Sequence, residues 1–160
     1  MSTLNAEAPD IVAAALAHAV AGDFDTGAEL LVPLIADSAR SAYALAGMLA
    51  ETASHIARRE QRPGTWFGIQ VEHTITGEPD SLDGMPPEVM FAARFTTAWA
   101  NRDQDTTAAL FAALAEQTEA SGSGLVEGLL TLFEMAVITA TTVSEEERAK
   151  RHNNPTQKEN

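Results

Sequence analysis

The chain has no cysteine among its 160 residues, and it has few basic residues. The first absence excludes a disulfide framework, a catalytic thiolate and a cysteine-based metal site. Ten lysines and arginines stand against 23 acids, which leaves a net charge of −13. Because a strongly negative protein repels phosphate backbones and anionic membrane surfaces, we expect neither nucleic acid nor a membrane as its partner.

Long apolar runs are also lacking. The longest run, Ile11 to Ala21, is interrupted by His18 and is too short to span a bilayer. It has no basic stretch before it, so it does not resemble a signal peptide, and we expect a cytoplasmic protein. The share of hydrophobic residues, 45%, and of charged residues, 21%, is typical of one soluble globular domain at this length. Eight arginines against two lysines, with 30 alanines, favour a GC-rich bacterial or phage genome.

The distribution of alanine indicates how the chain is organised. No alanine occurs from Arg58 to Phe91, a stretch that holds four prolines and four glycines. Alanine favours helix, whereas proline and glycine interrupt it, so two helical blocks flank a segment of different conformation. We expect one helical domain over residues 1–143 and a polar flexible tail over 144–160.

Each block contains capping and periodicity signals for three helices. The first half spans residues 11–59 and the second half 88–142, joined by a crossover over 60–87. The expected helices cover about 11–21, a second from 26, a third from 37 or 38 to 59, 88–101, a fifth from 105 or 106 that ends before the break at 121–124, and 125–141. Their caps are assigned to Asp10, to Thr26 with Glu29, to Asp37 or Ser38, to Pro87 with Glu88, and to Asp105 or Thr106.

The two halves share a sequence pattern at a separation of 80 residues. The shift places Asp23 on Asp103 and Thr26 on Thr106, together with most of the apolar positions that follow. Acidic residues ahead of a helix accept hydrogen bonds from its free N–H groups and meet the positive end of its dipole. The sequence therefore predicts an all-α fold of two related three-helix halves, a pseudo-duplicated helical bundle whose long crossover contains one short extended segment.

Alternation of apolar and polar residues predicts that extended segment. Ile69, Val71, His73 and Ile75 fall on one side of a strand, and polar residues fall on the other. The backbone of a lone strand needs partners. An extended crossover lying over the helices is the expected solution. Pairing with the same segment of a second subunit and addition of a partner's strand are the alternatives.

An aromatic pair and a basic cluster lie just before the strand. Trp66 and Phe67 are expected to anchor the core, and an exposed Trp66 would instead be a contact hot spot. Arg58, Arg59 and Arg62 are expected to pair with carboxylates, and a phosphate or carboxylate site is the alternative. The candidate partner-binding residues are Trp66, Phe67, Ile69, Val71, Ile75, Arg58, Arg59 and Arg62.

No motif for catalysis is present, since a nucleophile elbow, a phosphate-binding loop and a zinc-protease helix are all missing. Glu51 and His55 have helical metal-ligand spacing, but the second half contributes only Glu134, with Ile138 four residues later. We expect no metal and no cofactor. The predicted function is that of a non-enzymatic protein–protein interaction or scaffold protein, as a homodimer, that binds through the crossover and a nearby helical groove. The alternatives are an acidic nucleic-acid mimic that inhibits a basic partner and a small metal-binding helical enzyme.

Overall fold

The structure is a computed structural model that describes residues 3–69, 71–72, 79–80 and 84–153. Within these ranges the chain forms seven helices and one two-residue antiparallel strand pair, which confirms the all-α class. The elements are α1 (Thr3–Val20), α2 (Phe24–Asp37), α3 (Ala39–Ala53), α4 (His55–Glu60), β1 (Val71–Glu72), β2 (Pro79–Asp80), α5 (Pro87–Ala100), α6 (Gln104–Ser121) and α7 (Gly124–Asn153).

Two expected boundaries in the first half are wrong. The first helix begins at Thr3 rather than near residue 11, so Asp10 lies inside α1 and does not cap it. Burial of Ala8, which is 4% exposed, gives these early turns a share of the core. The third predicted helix is divided at Ser54, whose hydroxyl donates to the Ala50 carbonyl at 2.8 Å. A serine that bonds the preceding turn in this way competes with the helical backbone pattern.

The last helix is longer than expected. We predicted its end near Thr141 and a flexible tail from residue 144, but α7 continues to Asn153, and residues 154–160 lie outside the described ranges. The polar stretch is rich in glutamate, arginine and lysine, which are good helix formers, and the bases in the last turn favour the dipole. Glu147 and Arg151 add an ion pair at 3.6 Å across one turn.

The core is organised around α7, which packs against each of the other six helices. Helices α1 and α2 form one pair of neighbours, α5 and α6 form another, and α3 contacts both α5 and α7. Phe133 on α7 and Phe95 on α5 are fully buried, and Phe91 lies beside Phe95 with ring centroids 5.3 Å apart. Residues 61–69, all exposed except the half-buried Phe67, lie at the surface of the bundle.

The turns before α2 and α6 share one capping geometry. The Asp23 carboxylate accepts a hydrogen bond from the Thr26 N–H at 3.4 Å, and the Asp103 carboxylate accepts one from the Thr106 N–H at 3.0 Å. The hydrogen bonds with these threonines lower the pKa of both aspartates. Asp23 and Asp103 are thus the caps, as expected for acidic residues ahead of a helix, whereas Thr26 and Asp105 or Thr106, which we also assigned as caps, lie two or three residues later.

The crossover supplies its own strand partner. Val71 pairs with Asp80 and Glu72 with Pro79, in an antiparallel register. The expectation of an extended segment without a backbone partner is therefore wrong at Val71 and Glu72. Of the longer predicted strand, Ile75 lies outside the described residues, and pairing with a second subunit stays a prediction.

Candidate partner-binding site

Residues 61–69 lie against the turn that joins α5 to α6, and one side chain holds them there. The Phe67 N–H donates to Asn101 Oδ1 at 2.7 Å, and Asn101 Nδ2 donates to the Phe67 carbonyl at 3.0 Å. A side-chain amide has one acceptor and two donors, so it can satisfy both backbone groups of one residue. Asn101 therefore anchors the described part of the crossover at Phe67, whose side chain is half-buried.

Trp66 projects into solvent beside this anchor. It is 73% exposed, so the expectation that it anchors the core is wrong. The chain turns just before it, where Gly64 has φ +85° and the Thr65 N–H donates to the Arg62 carbonyl at 3.1 Å. Glycine adopts such a left-handed conformation readily. The turn and the Phe67 anchor together leave the indole outside the bundle.

Two of the three clustered arginines pair with carboxylates, as expected for an acidic protein. Arg59 on α4 forms a two-point pair with Glu146 of α7, at 2.9 and 3.2 Å. The hydrogen bonds between these two side chains lower the pKa of Glu146 and raise the pKa of Arg59. Arg58 pairs with Glu51 of α3, whereas Arg62 forms no ion pair within the described part of the chain.

Glu51 connects α3 to the end of α5. Its Oε2 accepts hydrogen bonds from Trp99 Nε1 at 2.8 Å and from Arg102 Nη1 at 3.3 Å, while Oε1 accepts from Arg58. Partial burial raises the pKa of this carboxyl, but the hydrogen bonds from Trp99 and Arg58 and the two guanidinium charges outweigh it. The net result is a lowered pKa and a carboxylate that stays ionised.

A polar pocket of about 250 Å³ lies between α4, residues 61–67 and the end of α5. We call it the arginine pocket, because three guanidinium-bearing residues line it. Its lining consists of Arg58, Gln61, Arg62, Pro63, Gly64, Thr65, Phe67, Ala100 and Arg102. Trp66 lies in the chain between two of these lining residues, so the exposed indole and the pocket belong to one surface.

Arg102 occupies an unusual backbone conformation. Its φ is +60°, and it is the sole non-glycine residue in the described ranges with a positive φ. A left-handed conformation costs an ordinary residue about 1 kcal/mol, because Cβ crowds the backbone. Eighty positions earlier the equivalent place holds Gly22, with φ +95°. The second turn therefore carries an arginine where glycine would fit without strain.

The structure brings Arg58, Arg62 and Phe67 together in the lining of the arginine pocket, with Trp66 next to Phe67 in the chain, whereas Arg59 pairs with Glu146 of α7. For two apolar candidates for partner binding, the structure gives less. Ile69 is 37% exposed, and Val71 is described only by its strand pairing.

Sequence reasoning missed two residues that build the site, Asn101 and Arg102. The signal was the separation of 80 residues, because these positions correspond to Ala21 and Gly22 and are where the otherwise similar turns differ.

Two of three further depressions have no arginine in their lining. One of about 590 Å³ between α1, α3 and Trp99 is mainly apolar, with Val12, Leu16 and Met48 in its lining. The other, about 380 Å³, lies between α3, α4 and α7 and includes His55 and Glu147. The third, about 230 Å³ between α5 and α6, includes Arg94 in its lining.

A metal at Glu51 and His55 lacks support. Among the residues that the structure describes, no group of three histidine, aspartate or glutamate side chains could hold a metal ion. Both oxygens of Glu51 already accept hydrogen bonds from the protein. That carboxylate is therefore committed to its arginine and tryptophan donors.

Helix α7 is long and apolar enough, by length and composition alone, to cross a membrane, and it is the one helix in the described ranges that meets both criteria. A core helix can satisfy the same two criteria; of the apolar window in α7, 28% is buried in this bundle. No family model, no curated protein and no solved structure matches this chain.

Proposed function

We propose that this chain is a non-enzymatic interaction module that binds another protein through residues 61–69 and the arginine pocket. The observation that supports the proposal is a tryptophan exposed to 73% on a segment whose next residue is held at both backbone groups. Burying an indole removes about 150–250 Å² of surface from water, which makes tryptophan a frequent centre of binding energy. A segment that is already anchored loses less conformational entropy when a partner binds.

We also propose that the chain consists of two related three-helix halves, α1–α3 and α5–α7. The matched caps at Asp23 and Asp103 support this duplication. Burial supports it as well, since Leu31 and Phe111 are both buried 80 positions apart, as are Leu34 and Leu114. In this view the second turn kept the cap and acquired the residues that hold the crossover.

A second copy of this chain is one partner that the proposal includes, in the cytoplasm of a bacterial cell. The twofold arrangement would place the crossovers of two subunits side by side. A cross-linked product identifies such a partner by its mass, because a dimer has twice the mass of the 17.0 kDa chain.

Photo-cross-linking from the exposed indole position tests the proposal. We expect p-benzoylphenylalanine at position 66 to give a discrete protein adduct in the cells that express the chain. The matched control carries the same residue at position 32, because Val32 is 55% exposed on α2 and is not part of the arginine pocket's lining. The position-32 variant should give no protein adduct. Equal yields at both positions, or no adduct at position 66, would contradict the proposed function.

A further inference from the structure

We propose that the arginine pocket binds a carboxylate group of the partner segment that contacts Trp66. The inference rests on the proposed function and specifies the chemistry of the partner. It depends on three observations: the charge inside the pocket, its size and position, and the backbone conformation of Arg102.

The pocket reverses the sign of the protein's charge locally. Arg58, Arg62 and Arg102 line it, and the described carboxylate that pairs with two of them is Glu51. Three positive groups with one negative group leave two positive charges, on a chain whose net charge is −13. The exposed Arg62 has no ion pair with any described residue, and a guanidinium group matches a carboxylate through two parallel hydrogen bonds.

The dimensions and surroundings favour a carboxylate on a protein segment. A pocket of about 250 Å³ accommodates one short acidic side chain or a chain terminus. A nucleic acid would bring many negative charges against an acidic protein, so repulsion disfavours it. Trp66 lies next to Thr65 and Phe67 of the pocket wall, so one segment can place its carboxylate in the pocket and an apolar side chain on the indole.

The strained backbone at Arg102 points to the same role. The equivalent turn uses Gly22, which shows that the turn forms without an arginine. Residues in disfavoured conformations persist where the surroundings hold them, and such residues concentrate at functional sites. The side chain at 102 reaches both Glu51 and the pocket, which a glycine could not do.

An NMR titration with glutarate tests the inference on the full chain. We expect saturable shifts, with a millimolar dissociation constant, at the Trp66 indole N–H and at the amides of Gly64 and Thr65. Sodium chloride at matched ionic strength should produce no saturation. Arg62→Gln should weaken glutarate binding about tenfold, because a charge-assisted two-point contact is lost.

Arg148→Gln on α7 is the matched control, since Arg148 is exposed and lies outside the pocket lining. It should leave the dissociation constant unchanged. Shifts that rise linearly with glutarate, or equal weakening by both variants, would overturn the inference. Inorganic phosphate is the second probe, and phosphate binding ten times tighter than glutarate would also overturn the assignment to a carboxylate.

Arg102→Gly separates binding from folding. The variant relieves the left-handed conformation, so we expect an unchanged or higher melting temperature together with weaker glutarate binding. Unchanged binding would contradict a role for Arg102 in the pocket. If glutarate fails to bind but the position-66 adduct forms, the carboxylate inference is wrong and the proposed function stands. If glutarate binds but no adduct forms, the proposed function is wrong.

Discussion

Replacing Asn101 by alanine tests whether one amide holds the crossover in place. The substitution removes both hydrogen bonds to Phe67, at 2.7 and 3.0 Å, and leaves the Asn101 backbone bond to the Thr97 carbonyl intact. Each such bond contributes about 1 kcal/mol, so local opening of residues 61–69 becomes about 2 kcal/mol easier. Hydrogen exchange of the Phe67 amide should therefore accelerate about 30-fold.

The effect should be confined to the crossover. Amides of the buried α7 turn around Leu132 should keep their exchange rates, because this turn does not contact the anchor. Asn101→Asp is the graded control, since it keeps an acceptor for the Phe67 N–H and loses the donor to the Phe67 carbonyl. It should accelerate exchange about fivefold. An unchanged Phe67 rate in the alanine variant would refute the anchoring role.

Four further substitutions test the packing and the electrostatics. Gly47→Ala should lower the free energy of unfolding by about 1–3 kcal/mol, because a Cβ there would lie 2.5 Å from the Trp99 ring; chemical denaturation measures it. Phe133→Ala should cost about 3–5 kcal/mol, whereas Ile138→Ala, at a position 68% exposed, should cost less than about 0.5 kcal/mol. The pKa of Glu51 is lowered in the folded chain. The stabilisation that its ionised carboxylate provides is therefore present above the pKa that Glu51 has in the unfolded chain, and it is lost as the pH falls through the pKa in the folded chain. Glu51→Gln should therefore reduce the acid-dependent loss of stability in melts at successive pH values, by less than about 1 kcal/mol because the group is largely solvated.

Each of these predictions has a control. Gly68→Ala should be close to neutral, since nothing lies within 4 Å of the added Cβ and φ is not positive there. Equal losses for the two glycine variants would contradict the contact with Trp99. The Glu51→Gln variant should keep the part of the stability loss at low pH that comes from Asp23, Asp103 and Glu146, because the pKa values of these groups are also lowered. If the unmodified chain and the Glu51→Gln variant lose stability identically as the pH falls, the stabilising contacts assigned to Glu51 would be contradicted.

The helical class and most helix positions followed from local signals. Alanine content, apolar periodicity and acidic caps act over a few residues, so they predicted α2, α5 and α6 close to their observed bounds. The errors arose where tertiary packing decided the outcome. Burial of Ala8 extended α1, and the long-range pair of Arg59 with Glu146 accompanies the extension of α7.

The site was harder to foresee than the fold. Trp66 and Arg62 were chosen from their residue types and their place just before the predicted strand, but whether a tryptophan points inward depends on the space that the core leaves. Here Phe95 and Phe133 fill the centre, and Trp99 stacks on Phe95 with ring centroids 6.1 Å apart. The Asn101 amide lies 34 residues from Phe67 in sequence, and no local pattern predicts that pairing.

The most direct measurement of the central claim is the yield of cross-linked partner from position 66 relative to position 32. The account predicts one discrete adduct from position 66, at least about tenfold above the control, and a reduced yield when Asn101→Ala releases the segment. Equal yields from the two positions would contradict the claim that the anchored tryptophan surface is where this protein meets its partner.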